Sequence, residues 1–116
     1  MTSSARIAVD AMGGDEGLAV MLAGVARARR RFDGMRFLLV GDEDAIREGL
    51  KAHPNLTAAS EIVHAPEVVT ADDKPSQAIR RAKTTSMGVA IDLVKRGEAA
   101  AAVSSGNTGA LMAMAK

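Results

Sequence analysis

A short polar segment near the end of the chain combines the residue types that phosphate binding requires. Residues 104–109 read SSGNTG, so they offer hydroxyl and amide donors together with glycines that let the backbone approach a ligand closely. An apolar run at residues 99–103 predicts a buried strand before this segment, and residues 110–113 predict a helix after it. Because a helix N-terminus exposes unpaired N–H groups and a partial positive charge, we predict that the segment holds a phosphate-bearing reactant.

An ordinary helix N-cap explains the residue types of this segment equally well, with Asn107 or Thr108 as the capping residue. Capping and anion binding use one geometry, so the residues alone leave both interpretations open. The segment lacks the lysine of a Walker A loop, which disfavours hydrolysis of nucleoside triphosphates.

A second glycine-containing segment, residues 10–15, reads DAMGGD and follows another short apolar run. Gly13 and Gly14 permit a strained turn and close approach of a ligand. The flanking carboxylates of Asp10 and Asp15 can orient a donor, bind a metal or act as a base, whereas the alternative is a tight turn with solvated acids. The spacing is not GxGxxG, and Asp42 near the end of the next strand is typical of a turn, so NAD binding is disfavoured.

Basic residues near predicted helix ends are the other candidates for binding an anion. Lys74 lies in the sequence DDKPS, just before a helix that Pro75 opens, and can reach a phosphate. A solvated lysine beside two acids is the alternative. The basic run at the end of the first predicted helix favours a solvated helix end over a membrane-surface role, and it comprises Arg27, Arg29, Arg30 and Arg31.

The composition excludes several classes of protein. The 116 residues allow one domain at most, and 47% apolar with 25% charged residues is typical of a soluble globular chain. Two phenylalanines, no tyrosine or tryptophan and a net charge of +1 give no support for nucleic-acid binding. The absence of cysteine rules out a thiolate nucleophile and a disulfide in these residues. With no apolar run near ~20 residues and no signal-peptide pattern, we expect a cytoplasmic protein.

Strand and helix patterns alternate along the chain. Strands are predicted at residues 6–10, 35–40, 61–64 and 99–103, and helices at about 18–32, 44–52, from 75, from 86 to a stop at Gly97, and after 109. Such alternation predicts a parallel sheet with helices packed outside it, with ligands beyond the carboxyl ends of the strands. Both glycine-containing segments fall at such ends. Because the chain stops within its last helix, we expect residues 1–116 to be the N-terminal portion of a single larger α/β domain.

Two helices have clear apolar faces. In the first, the predicted buried positions are Leu18, Met21, Leu22, Val25 and Phe32, and in the helix from residue 86 they are Met87, Ala90, Ile91 and Val94. Asp42 is the expected N-cap of the helix between them, and residues 53–55 are expected to end that helix.

Six motifs occur in a fixed order along the chain. They are DAMGGD at 10–15, LVGDE at 39–43, HAPEVV at 64–69, DDKP at 72–75, TSM at 85–87 and SSGNTGALMA at 104–113. In this order and spacing they resemble the amino-terminal part of the phosphate acyltransferase (PlsX) family of bacterial phospholipid synthesis, from about Arg6 to the last residue. Where that family often has two serines before the methionine, this chain has Thr85 and Ser86 and keeps both hydroxyls.

The resemblance implies a three-layer α/β/α fold like that of isocitrate and isopropylmalate dehydrogenases, usually in a homodimer. It implies transfer of a long-chain acyl group from acyl carrier protein to orthophosphate, giving acyl phosphate, with no cofactor and no metal. It further implies a cytoplasmic enzyme with peripheral association at the inner face of the membrane. An acyl-phosphate:glycerol-3-phosphate acyltransferase is then an expected partner, and nucleic acid is not.

The candidate residues suit that chemistry, in which phosphate attacks a thioester carbonyl. We expect Asp10 or Asp15 to position the nucleophile, Asn107 to act at the reacting atoms and Lys74 to add charge. The residues expected to cradle phosphate or the carbonyl oxygen are Gly13, Gly14, Ser105, Gly106, Thr108 and Gly109. Without cysteine in these residues, direct attack is favoured over an enzyme thioester.

Two other classes of function stay open. One is another enzyme of this fold, either a phosphotransacetylase using acetyl-CoA or a dehydrogenase of a phosphorylated substrate. The other is a non-catalytic phosphate-binding module.

Overall fold

Strands and helices alternate in the computed structural model, which describes residues 5–12, 17–32, 34–69 and 73–104. The strands are β1 (Arg6–Asp10), β2 (Arg36–Gly41), β3 (Ser60–His64) and β4 (Ala101–Val103). The helices are α1 (Gly17–Arg31), α2 (Glu43–Leu50), α3 (Pro54–Ala58), α4 (Pro75–Arg80) and α5 (Ser86–Lys95). The helix predicted after residue 109 lies outside the described residues.

All four strands form one parallel sheet in the order β3-β2-β1-β4, which confirms the predicted α/β fold. Strand β1 lies between β2 and β4, and its central residues are buried because helices cover both faces. Val9 of β1 is opposite Leu39 on one side and Val103 on the other. This register brings Asp10 and Ser104, the residues that follow Val9 and Val103, to the same edge of the sheet.

The two faces of the sheet bury different helices. Val9 and Leu39 belong to a cluster with Leu22 of α1, and α2 and α3 complete this side with Ile46 and Leu56. On the opposite face, α5 covers the sheet in a cluster that comprises Ala8, Leu38, Val40, Ala65, Ala90, Leu93 and Ala99. Helices on both faces direct the functional surface to the strand ends.

Helix α3 was not predicted. We expected residues 53–55 to end α2, but α2 ends at Leu50 and Pro54 opens a new short helix. Proline is compatible with the first helical position because it has no N–H to lose there. Leu56 is fully buried, so this turn closes one end of the core cluster.

Two regions that were predicted to be buried contain exposed residues. Phe32 is 55% exposed because α1 ends at Arg31 and the chain turns there, with the Met35 N–H donating to the Phe32 carbonyl at 3.1 Å. The apolar run at residues 99–103 contributes only a short strand, and Val103 is 48% exposed. Within the described residues β4 pairs with β1 alone, so it is an edge strand rather than a strand buried on both sides.

Close packing at Gly88 predicts a large effect of a single methyl group. A Cβ at Gly88 would lie 1.9 Å from the carbonyl oxygen of Ala82, a backbone atom that cannot move freely. Gly88→Ala should therefore lower the free energy of unfolding by at least about 1–3 kcal/mol, measured by urea denaturation. Gly24→Ala in α1 is the matched control, because a Cβ there meets nothing within 4 Å and should stabilise the helix by about 0.5–1 kcal/mol. Equal stability of the two variants would contradict this packing.

Candidate functional site

A buried carboxylate at the carboxyl end of β1 is the centre of the site. Asp10 is 1% exposed, and its Oδ1 accepts a hydrogen bond from Ser86 Oγ at 2.5 Å. The Met12 N–H also donates to Oδ1, at 3.3 Å, and Ser104 Oγ donates to Oδ2 at 2.8 Å. Since burying a carboxylate is costly unless donors satisfy it, Asp10 fixes the ends of β1, β4 and α5 relative to one another.

Helix α5 brings its N-terminus to this carboxylate. Thr85 is the N-cap, and its Oγ1 accepts from the Gly88 N–H at 3.1 Å. Thr85 and Ser86 are both fully buried, and the Ser86 N–H donates to the Glu67 carbonyl at 2.9 Å. The TSM motif therefore has two separate tasks, since Thr85 starts the helix and Ser86 donates to Asp10.

The two glycine-containing segments begin at the same point. Asp10 is the first residue of DAMGGD, and Ser104, the first residue of SSGNTG, donates a hydrogen bond to it. This contact confirms that both segments start at one edge of the sheet. The remaining predicted site residues of these segments lie outside the described residues, namely Gly13, Gly14, Asp15, Ser105, Gly106, Asn107, Thr108 and Gly109.

The neighbouring strand ends fit against the DAMGGD segment. A Cβ at Gly41, the last residue of β2, would lie 2.4 Å from Cγ of Met12, so glycine is needed for Met12 to pack there. The next residue, Asp42, is the N-cap of α2 and accepts from the Asp44 N–H at 3.2 Å, as predicted. His64 at the end of β3 also contributes, because its Nδ1 accepts from the Glu43 N–H at 3.1 Å. The LVGDE motif thus shapes the edge beside the site.

Lys74 is exposed and is the N-cap residue of α4, in agreement with its predicted place before a helix. Ala78 of the same helix packs with Met87 and Ile91, so α4 rests on the helix whose start binds Asp10. Within the described residues no hydrogen bond or ion pair joins Lys74 to Asp10. Asp72, the other acid before Lys74, lies outside the described residues.

A hydrogen-bonded ionic cluster, which we call the Arg81 cluster, holds the segment before α4. Arg81 Nη1 donates to Glu67 Oε1 at 2.8 Å, and its Nη2 donates to Asp73 Oδ2 at 2.7 Å. Thr84 Oγ1 donates to Glu67 Oε2 at 3.0 Å. The hydrogen bonds from Arg81 and then from Thr84 lower the pKa of Glu67, and the hydrogen bond to Glu67 raises the pKa of Arg81.

Sequence reasoning missed both of these clusters. Ser86 is 76 positions from Asp10 in the chain, and Arg81 is 14 positions from Glu67. Glu67 and Ser86 lie in the ordered motifs HAPEVV and TSM, but neither motif indicates the partner of its residue, and Arg81 lies in none of the motifs.

Within the described residues, no group of three or more acidic or histidine side chains is arranged to hold a metal ion. None of the described helices has the length and apolar character needed to cross a bilayer.

The fold and the hydroxyl–carboxylate cluster define the class of protein. It is a parallel α/β protein in which the two glycine-containing segments start at the carboxyl edge of the sheet, where ligands commonly bind in such folds. The sequence model of a family described as "fatty acid synthesis protein" matches residues 5–116, and the chain belongs to that family.

Curated relatives carry a more specific name. A protein of Erythrobacter litoralis named phosphate acyltransferase is 64% identical over 111 residues, which cover 96% of this chain and 31% of the relative. Proteins with the same name from Azorhizobium caulinodans and Bradyrhizobium diazoefficiens are 59% and 56% identical over 117 residues, covering 100% of this chain and 33% of each relative. The chain therefore spans about a third of the length of these relatives.

The hydroxyl group of Ser86 should contribute measurably to stability. Ser86→Ala removes a donor from a buried carboxylate, and we expect the free energy of unfolding to fall by about 1.5–3 kcal/mol in urea denaturation. Ser76→Ala on the exposed side of α4 is the matched control, with an expected change within about 0.5 kcal/mol. Equal effects of the two substitutions would show that the Ser86–Asp10 contact adds no stability.

The lowered pKa of Glu67 predicts a pH-dependent contribution to stability. A carboxyl group whose pKa is lower in the folded state stabilises the fold above its ordinary value of 4.5, and loses that effect as the pH falls through the folded pKa. Glu67→Gln should therefore lower the urea midpoint at pH 7, and the difference from the parent protein should disappear as the pH falls below about 4.5. Glu61→Gln is the control, because Glu61 is exposed and forms no ion pair with any described residue. A difference that persists unchanged at low pH would refute this assignment.

Proposed function

We propose that the complete protein is a phosphate acyltransferase, which transfers a long-chain fatty acyl group from acyl carrier protein to orthophosphate. The product is an acyl phosphate used in phospholipid synthesis. The observation that carries this proposal is the Asp10 cluster, where the segments DAMGGD and SSGNTG begin in contact with each other. The names of the curated relatives and the family description support the acyl chemistry.

In the proposed reaction an oxygen of orthophosphate attacks the carbonyl carbon of the thioester. The new C–O bond forms, the C–S bond breaks, and the thiol of the carrier leaves with a proton. The site must therefore hold an anion and stabilise the negative charge that develops on the carbonyl oxygen. We assign these tasks to the backbone and donors of Ser105, Gly106, Asn107, Thr108 and Gly109, together with Gly13 and Gly14, and Lys74 adds positive charge.

Asp10 and Asp15 have different tasks in this proposal. Both oxygens of Asp10 already accept hydrogen bonds, and the side chain is buried, so Asp10 serves the reaction by positioning the Ser104 end of the SSGNTG segment. Asp15 at the other end of DAMGGD then orients the attacking phosphate.

The remaining expectations follow from the resemblance to the phosphate acyltransferase family. We propose the three-layer fold of the isocitrate dehydrogenase type for the complete protein, a homodimer, and a cytoplasmic location with peripheral association at the inner face of the membrane. The acyl phosphate would be consumed by an acyl-phosphate:glycerol-3-phosphate acyltransferase.

The decisive experiment is an assay of the complete gene product with acyl-acyl carrier protein and orthophosphate. Formation of acyl phosphate and release of the free carrier thiol in equal amounts support the proposal. Activity with acetyl-CoA but not with the acyl carrier would indicate a phosphotransacetylase. Binding of phosphate without transfer to either acyl donor would indicate a non-catalytic phosphate-binding module.

Asn107 offers the sharpest test of the site assignment. Loss of one donor to a developing oxyanion costs about 10²–10³ in kcat, so Asn107→Ala should lower kcat by that factor. Asn55→Ala in α3, on an exposed surface, should leave kcat unchanged. Normal turnover of the Asn107 variant would remove that residue from the catalytic machinery.

A further inference from the structure

The acid next to Lys74 does not pair with it. Asp73 precedes Lys74 in the chain, so its carboxylate is a potential competitor for the ammonium group. Instead, Asp73 Oδ2 accepts from Arg81 Nη2 at 2.7 Å. Among the described residues, Lys74 forms no ion pair, so its charge is left available for an external anion.

Arg81 itself is poorly suited to bind phosphate. Its two terminal nitrogens are each engaged by a different carboxylate, Glu67 at 2.8 Å and Asp73 at 2.7 Å. One positive and two negative charges leave this group with a net charge of −1, which repels an anion. The planar guanidinium group, with its two terminal nitrogens as donors, is instead well suited to hold two carboxylates in fixed positions.

Glu67 is held in place independently of Asp73. Thr84 Oγ1 donates to its second oxygen at 3.0 Å, and the backbone of Glu67 pairs with the Thr84 carbonyl and the Ser86 N–H. If Arg81 were lost, Glu67 would keep these contacts, whereas Asp73 would lose its ion pair with the guanidinium group. The consequence of losing Arg81 should therefore come through Asp73.

We propose that Arg81 is a positioning residue that sequesters the carboxylate of Asp73, so that the adjacent Lys74 ammonium can bind a phosphate-bearing ligand. This inference rests on the proposed function in one respect, the role of Lys74 as a phosphate ligand. The hydrogen bond to Glu67 raises the pKa of Arg81, in agreement with the ion pairs.

The test compares orthophosphate affinity among variants of the complete gene product. Binding is measured by titration calorimetry, and the KM for phosphate is measured alongside it. Arg81→Gln should weaken phosphate binding about three- to fivefold, the upper range for a partly exposed ion pair, with kcat nearly unchanged. Adding Asp73→Asn to that variant should return the affinity to within about twofold of the parent, because the competing carboxylate is gone.

Two matched controls separate sequestration from simple loss of charge. The double variant Arg81→Gln, Glu67→Gln has the same net charge as Arg81→Gln, Asp73→Asn, but it should not recover affinity, because Asp73 remains charged. Arg96→Gln also removes an arginine with two carboxylate partners, Asp92 and Glu98, each at 2.8 Å, and should leave phosphate affinity unchanged. If Arg81→Gln does not fold, Arg81→Lys replaces it, because an ammonium cannot hold both carboxylates as a fork.

Each result of these affinity measurements either supports or contradicts the proposed role of Arg81. Unchanged affinity in the Arg81 variant overturns the proposal, and so does a loss that Asp73→Asn fails to restore or that Glu67→Gln restores equally. Normal phosphate affinity in Lys74→Ala also overturns it, even if the parent protein transfers acyl groups. If the parent shows no acyl transfer but the Asp73-specific rescue of binding appears, the inference holds and only the proposed function fails.

Discussion

The buried carboxylate of Asp10 is the constraint on which the arrangement of the functional edge depends. A charged group that is 1% exposed is tolerated only when donors replace the lost water, and here the donors come from distant parts of the chain. Ser86 and Ser104 can reach Asp10 only if α5 starts, and β4 ends, beside the end of β1. The need to satisfy the buried Asp10 carboxylate therefore specifies how β1, β4 and α5 meet. This constraint acts in addition to the apolar packing that covers the rest of the sheet.

The same edge is extended outward by a series of local contacts. The N–H of Ser86 binds the backbone of Glu67, the carboxylate of Glu67 binds Arg81, and Arg81 binds Asp73. Each contact is an ordinary hydrogen bond or ion pair of modest energy. Together they connect the buried centre to the exposed segment that carries Lys74.

Sequence reasoning succeeded where structure is determined locally. The apolar runs around Val9 and Leu39 indicated buried parallel strands, the spacing of Met87 and Ile91 indicated the buried face of α5, and Asp42 was correctly predicted as a cap. It failed at Val103, because exposure there depends on which strand lies alongside and not on the residue type. It also could not predict the Ser86–Asp10 contact, because that pair is created by strand register and helix packing across 76 positions.

The two polar clusters solve one physical problem in different ways. An edge that binds an anion gains from hydroxyl, N–H and ammonium groups, and it is weakened by free carboxylates, yet this edge carries Asp10, Glu67 and Asp73. In the interior the solution is burial, since serine hydroxyls and a backbone N–H occupy the oxygens of Asp10. At the surface, where water would otherwise leave acids free to move, the solution is an arginine that takes up two carboxylates at once. All three carboxylates thus have hydrogen-bond donors as partners, which reduces their repulsion of the phosphate that we propose binds at this edge.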